Sequence, residues 1–100
     1  MQVIRAREIV IEFEQIKRSQ RRALTSVALC EQCGGESDFL TVADAAELFR
    51  TPVESLLGFV AENRCHFVAG RDGLVHLCLG SLLAQMKRRA GGPRLLADRA

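Results

Sequence analysis

The sequence predicts an α+β fold: an N-terminal β-hairpin, a zinc knuckle, a helix-turn-helix, a second β-hairpin and a C-terminal helix. Three observations predict it. Cys30-Glu31-Gln32-Cys33-Gly34-Gly35 sets two thiols two residues apart on a chain that glycine lets turn tightly. Apolar residues alternate with period two on both sides of this stretch, over 9–13 and 67–79. Between 42 and 61 they recur instead at helical spacing.

The first strand is read over Arg7–Lys17, with Ile9, Ile11 and Phe13 on one face and Glu8, Glu12 and Glu14 on the other. The second runs from Ala23 to Cys30. Arg18-Ser19-Gln20-Arg21-Arg22 between them is polar and turn-like, so 7–30 reads as a hairpin with a basic tip that delivers the chain to the knuckle at 30–35. Thr41 stands three residues before Asp44, a capping pair for a helix over 42–49. Thr51-Pro52-Val53-Glu54 is a fuller box, with Thr at the cap and Pro in the first turn, and opens a helix over 52–62. Val53, Leu56, Leu57, Val60 and Ala61 make its buried stripe, and Asn63 ends it in the left-handed conformation.

The second hairpin spans 66–79. Arg71-Asp72-Gly73 favours a three-residue loop with Gly73 left-handed. Such a loop pairs Gly70 with Leu74 and therefore residue 66 with residue 78. Opposed residues share a face, so His66 and Cys78 meet side by side. Ser81 caps a last helix over 82–89, and Gly91-Gly92-Pro93 stops it. The chain thus reads as one domain over 1–90 with a flexible tail over 91–100.

A chain of 100 residues, 48% hydrophobic and without Trp or Tyr, has a small core. A structural metal is a suitable staple, since bound zinc contributes roughly 10–16 kcal/mol of apparent binding energy that doubles as folding energy. Residues 1–13 lack the apolar run of a signal peptide, and no apolar run reaches about 18 residues. The expected location is cytoplasmic with no membrane partner, where four cysteines serve as ligands or free thiols.

The expected ligand set is Zn²⁺ on Cys30, Cys33, His66 and Cys78, a closed structural shell. Cys65 is the rival third ligand: a two-residue loop at Arg71-Asp72 would pair 65 with 78, but needs positive φ at both loop residues. His76 shares the face of Cys78 nearer the hairpin tip. The plain alternative is that Cys65 and Cys78 are small buried apolar residues and the CxxC spacing is accidental. A thioredoxin-like role finds no βαβ pattern around the motif.

Thr41-Val42, Ala45-Ala46-Glu47-Leu48-Phe49, Leu56, Phe59-Val60 and Arg64 leading into His66-Phe67 resemble the winged helix-turn-helix of MerR regulators and phage excisionases. The order of basic hairpin, CxxC, helix pair and a His-Phe/Leu-Cys-Leu strand pair also resembles a group of short uncharacterised bacterial proteins. The resemblance spans about residues 8–85 and makes the second hairpin the wing. It implies DNA binding and transcription regulation. Arg50, Ser55, Arg64 and Arg71, with Lys17, Arg18, Arg21 and Arg22 at the first tip, would then contact nucleic acid, with a homodimer as one way to add charge.

The residues of the second helix point elsewhere. Its outward face is Glu54, Ser55, Gly58 and Glu62, flanked by Phe59. Between Asp38 and Arg64 five acids (Asp38, Asp44, Glu47, Glu54, Glu62) stand against two bases (Arg50, Arg64). Phosphate neutralisation dominates affinity for DNA, so this face makes a protein-interaction adaptor on the same scaffold the alternative to the DNA-binding regulator. Glu54, Gly58, Phe59 and Glu62 are its candidate contacts. No Ser/His/Asp set, phosphate-cradling loop or convergent carboxylate pair is recognisable, and an enzyme is not expected.

Overall fold

A computed structural model describes residues 2–14, 18–86 and 94–99, without the side chains of Glu14, Arg18 and 94–99. The elements run β1 (Val3–Glu14), β2 (Arg18–Cys30), β3 (Gly35–Thr41), α1 (Val42–Phe49), α2 (Val53–Asn63), β4 (Phe67–Ala69), β5 (Val75–Cys78), α3 (Leu79–Met86) and β6 (Arg94–Arg99). All six strands form one antiparallel sheet in the order β4-β5-β3-β2-β1-β6.

This architecture corrects the expected one. The two hairpins are not separate units flanking a helix pair. A strand unforeseen in the sequence, β3, bonds β2 on one side (Ser26↔Phe39) and β5 on the other (Phe39↔Cys78), and so joins them into a single sheet. The second hairpin is therefore a continuation of the sheet and not a wing set beside two helices. The first hairpin also turns earlier than expected. Glu14 pairs with Arg18, so residues 18–22 lie in β2 and not at a basic tip. Residues 94–99, expected within a flexible tail, pair with β1 as β6. The last helix begins at Leu79 instead of 82, and Lys87, Arg88 and Arg89 of its expected end lie outside the described residues.

Alternation gives the sheet two apolar faces. Ile9, Ile11, Leu40 and Leu77 face the helices and bury against Ala45, Leu48, Leu56, Val60, Leu79, Leu82 and Leu83. Each large aliphatic side chain so buried contributes about 1.5–3 kcal/mol. The opposite face carries a smaller cluster of Ala28, Cys30, Phe39 and Cys78, with Val68 against it.

The helix signals hold in part. The Thr41 hydroxyl accepts the Asp44 amide at 3.1 Å, as a cap should. At α2 the expected box is not made: Pro52 is the cap, without a side-chain bond. Left-handed residues end both helices, but they are Arg50 (φ 49°) and Arg64 (φ 53°). Asn63 stays helical and its amide donates to the Phe59 carbonyl at 3.0 Å. No helix of the described residues is long and apolar enough to cross a membrane.

Candidate metal centre

The site forms at one end of the sheet, where β2 and β5 stop and β3 and β4 begin. Cys30 is the last residue of β2. The chain then reverses within four residues, closed by the Gly34 amide donating to the Cys30 carbonyl at 2.9 Å. Gly34 takes φ +79°, a left-handed conformation that other residues adopt only with strain. This turn lifts Cys33 over the sheet end.

The other two candidate ligands arrive through the register expected of the β4–β5 hairpin. Gly73 is left-handed (φ +79°), the Gly70 amide donates to the Leu74 carbonyl at 2.8 Å, and Val68 stands opposite His76. His66 then falls opposite Cys78, whose amide donates to the His66 carbonyl at 2.9 Å. Asp72 supports the loop. Its carboxylate accepts the Leu74 amide at 3.0 Å and lies 3.2 Å from His76 Nε2, and these bonds hold it below the usual carboxylate range.

Three thiols and one imidazole thus converge, with all ligand atoms within 4.8 Å of one another. His66 Nδ1 lies 3.4 Å from Cys30 Sγ and 3.2 Å from Cys33 Sγ, and Cys33 Sγ lies 3.6 Å from Cys78 Sγ. Sulfurs bound tetrahedrally at ~2.3 Å stand ~3.8 Å apart, and sulfur to nitrogen is ~3.5 Å. These three separations are close to those of a tetrahedral metal shell. Desolvation at the sulfur, with the Cys30 and Cys78 thiols beside it, pushes the Cys33 thiol up to about 12. Burial pushes Cys78 the same way, but the Ser37 hydroxyl and neighbouring groups outweigh it and hold that thiol below its ordinary value. Crowded thiols ionise together only when a cation neutralises them, so the donor set fits a metal ion.

Two hydroxyls brace the cluster. Ser37 Oγ is 2.9 Å from Cys78 Sγ. Ser81 Oγ donates to the Cys78 carbonyl and accepts the His66 amide, both at 2.9 Å. Ser81, expected as the cap of the last helix, sits instead in the first turn of α3 and ties two ligand-bearing segments to it. Such outer contacts orient ligands. Neither serine reads as a member of the metal site from spacing, since only the assembled fold brings them to the sulfur and the backbone.

Cys65, the rival ligand, points away. It is buried on the helix face with Leu56, Val60 and Leu77, and burial pushes its thiol up. Neighbouring strand positions face opposite ways, so the chain that offers His66 to the cluster must send Cys65 into the core.

The remaining site candidates scatter. Arg21 is committed to the fold: its guanidinium donates to the Leu48 carbonyl at 2.5 Å and lies 4.4 Å from the centre of the Phe13 ring. Arg22 is exposed near Glu8, at 3.9 Å. Arg50, Arg64, Arg71 and Ser55 are exposed. Lys17 and the Arg18 side chain lie outside the described residues. On α2, Glu54, Gly58 and Glu62 are exposed, whereas Phe59 is half-buried against the main core. Three residues of the expected buried stripe are open instead: Val53 is 41% and Leu57 45% exposed, and Ala61 is exposed as well.

Comparison of the chain with protein-family models, curated proteins and solved structures returns no match. Its function must therefore be inferred from its own geometry.

Proposed function

We propose that the chain is a structural zinc domain that serves as a protein-interaction adaptor, with α2 as the contact. Zinc suits three thiolates and an imidazole at tetrahedral spacing, and four protein ligands leave no coordination position for water or substrate. The metal's role is then to hold the sheet end, and function passes to the surface.

The observation that carries the adaptor reading is the outward face of α2. Val53 and Leu57 lie one helical turn apart and exposed, on a helix that also exposes Glu54 and Glu62 and carries no basic residue. An exposed apolar pair beside two carboxylates suits a partner segment with an apolar anchor and basic residues next to it. A photo-crosslinking residue at Leu57 tests this. The reading expects a crosslinked partner that is lost when Glu54 and Glu62 are both changed to Lys, with zinc content unchanged. Absence of a crosslink from position 57 contradicts it.

Transcription regulation through DNA is a second reading, and the exposure of Arg50, Arg64 and Arg71 favours it. It expects a gel shift on duplex DNA that weakens steeply with salt. No shift at low salt contradicts it.

A further inference from the structure

We propose that β4 is where two copies of this chain join, edge to edge, into one continuous antiparallel sheet. Among the described residues β4 ends the sheet and bonds only β5. The Cys78 amide donates to the His66 carbonyl and the Gly70 amide to the Leu74 carbonyl, so positions 66 and 70 face inward. Hydrogen-bonded positions alternate along an antiparallel pair, which turns Val68 inward as well. Phe67 and Ala69 therefore direct their N–H and C=O groups outward. Edges of this kind recruit other strands unless short length, a charge, a proline, a bulge or a covering segment blunts them. Phe67-Val68-Ala69 carries no charge, proline or bulge, so its three-residue length is what limits it, and Phe67 is 59% exposed.

A second copy fits this edge because the edge is complementary to itself. A two-fold axis through Val68 sets Phe67 of each copy opposite Ala69 of the other. Both positions face outward, so the two pairs exchange four backbone hydrogen bonds. Directly opposed side chains share a face, so each Phe67 ring lies across the smallest side chain of the strand. A register centred on Phe67 would set two rings against each other. His66 directly precedes the edge, so the metal centre fixes where it stands. The contact is independent of any partner on α2. A three-residue edge buries well under the ~1,200 Å² of a stable interface, so the association is concentration-dependent.

Sedimentation of the zinc-loaded full chain tests the contact, with concentration raised to about 1 mM so that even weak association registers. The average mass should climb from monomer toward dimer. Ala69→Pro removes an outward N–H and leaves the inner ladder intact. Phe67→Glu sets a carboxylate at each ring position. Both variants should remain monomeric while keeping one zinc per chain. If Ala69→Pro loses zinc, Phe67→Glu alone decides. A wild-type monomer at every concentration overturns the proposal and leaves β4 to a foreign strand, and a dimer that persists in Phe67→Glu overturns it by placing the contact elsewhere.

Discussion

The Cys78 amide donates to the His66 carbonyl at 2.9 Å, so two of the four converging candidate ligands stand directly opposed at one end of the β4–β5 hairpin. Cys30 and Cys33 reach the same point from a turn more than thirty positions earlier in the chain. The centre therefore ties β2, β3, β4 and β5 together at one end.

Loss of a ligand should be severe. Zinc in such sites is linked to about 10 kcal/mol or more of folding energy, comparable with the whole stability of a small domain. Cys30→Ser or Cys78→Ser is expected to lose the metal and to be largely unfolded at 25 °C by circular dichroism. Cys65→Ala, on the other face, should keep one metal per chain and lose about 1–2 kcal/mol in a urea melt. Equal behaviour of the 65 and 78 variants would contradict the ligand assignment.

Much of this centre is legible in the sequence because each step is local. Arg71-Asp72-Gly73 sets the loop, the loop sets the register, and the register sets His66 beside Cys78. What stays hidden depends on distant partners. β3 escapes because Ser37 and Asp38 break its apolar alternation, yet Asp38 is buried by Arg7 and Thr25 from two other strands. The turn after β1 reads as lying too late in the chain because Arg21 and Arg22 look like a solvated tip. Arg21 is instead half-buried on α1, a contact that no spacing announces. Val53 and Leu57 satisfy the helical stripe but face outward, since the stripe is wider than the surface that receives it.

The Arg7–Asp38 pair should make stability fall in acid. Arg7 grips both carboxylate oxygens, at 2.7 and 2.5 Å, and Thr25 adds a third bond at 2.7 Å. Burial pushes the Asp38 carboxyl up, but these partners outweigh it and hold it below the usual range. Its contribution is thus full above the ordinary carboxylate pKa of about 3.9 and is lost as pH falls through the folded value. Asp38→Asn should cost about 3 kcal/mol at pH 7, and its difference from wild type should shrink below about pH 4. Urea melts of both proteins across that range measure it.

Gly70 should tolerate no side chain. A Cβ there would lie 2.6 Å from His76 Nε2 and from Asp72 Oδ1. Gly70→Ala is expected to cost about 1–3 kcal/mol by overpacking. Adding His76→Ala should make the pair less than additive, since the clash is then partly relieved. A double-mutant cycle by thermal melts reads the coupling.

Arg21 should matter to stability and not to nucleic acid. Leu48 lies in the last turn of α1, where carbonyls lack helical partners, and the Arg21 guanidinium satisfies one. Arg21→Met should lose about 1–3 kcal/mol. Any affinity for DNA should change far less in Arg21→Met than in Arg50→Ala or Arg64→Ala. A greater loss on changing Arg21 would return it to the surface.

X-ray absorption at the zinc edge on purified protein tests the centre most directly. One zinc per chain with three sulfurs at about 2.3 Å and one nitrogen at about 2.0 Å is the expected result. A chain that holds no metal, or one whose metal is bound by four sulfurs or by oxygen, would contradict the assignment of Cys30, Cys33, His66 and Cys78.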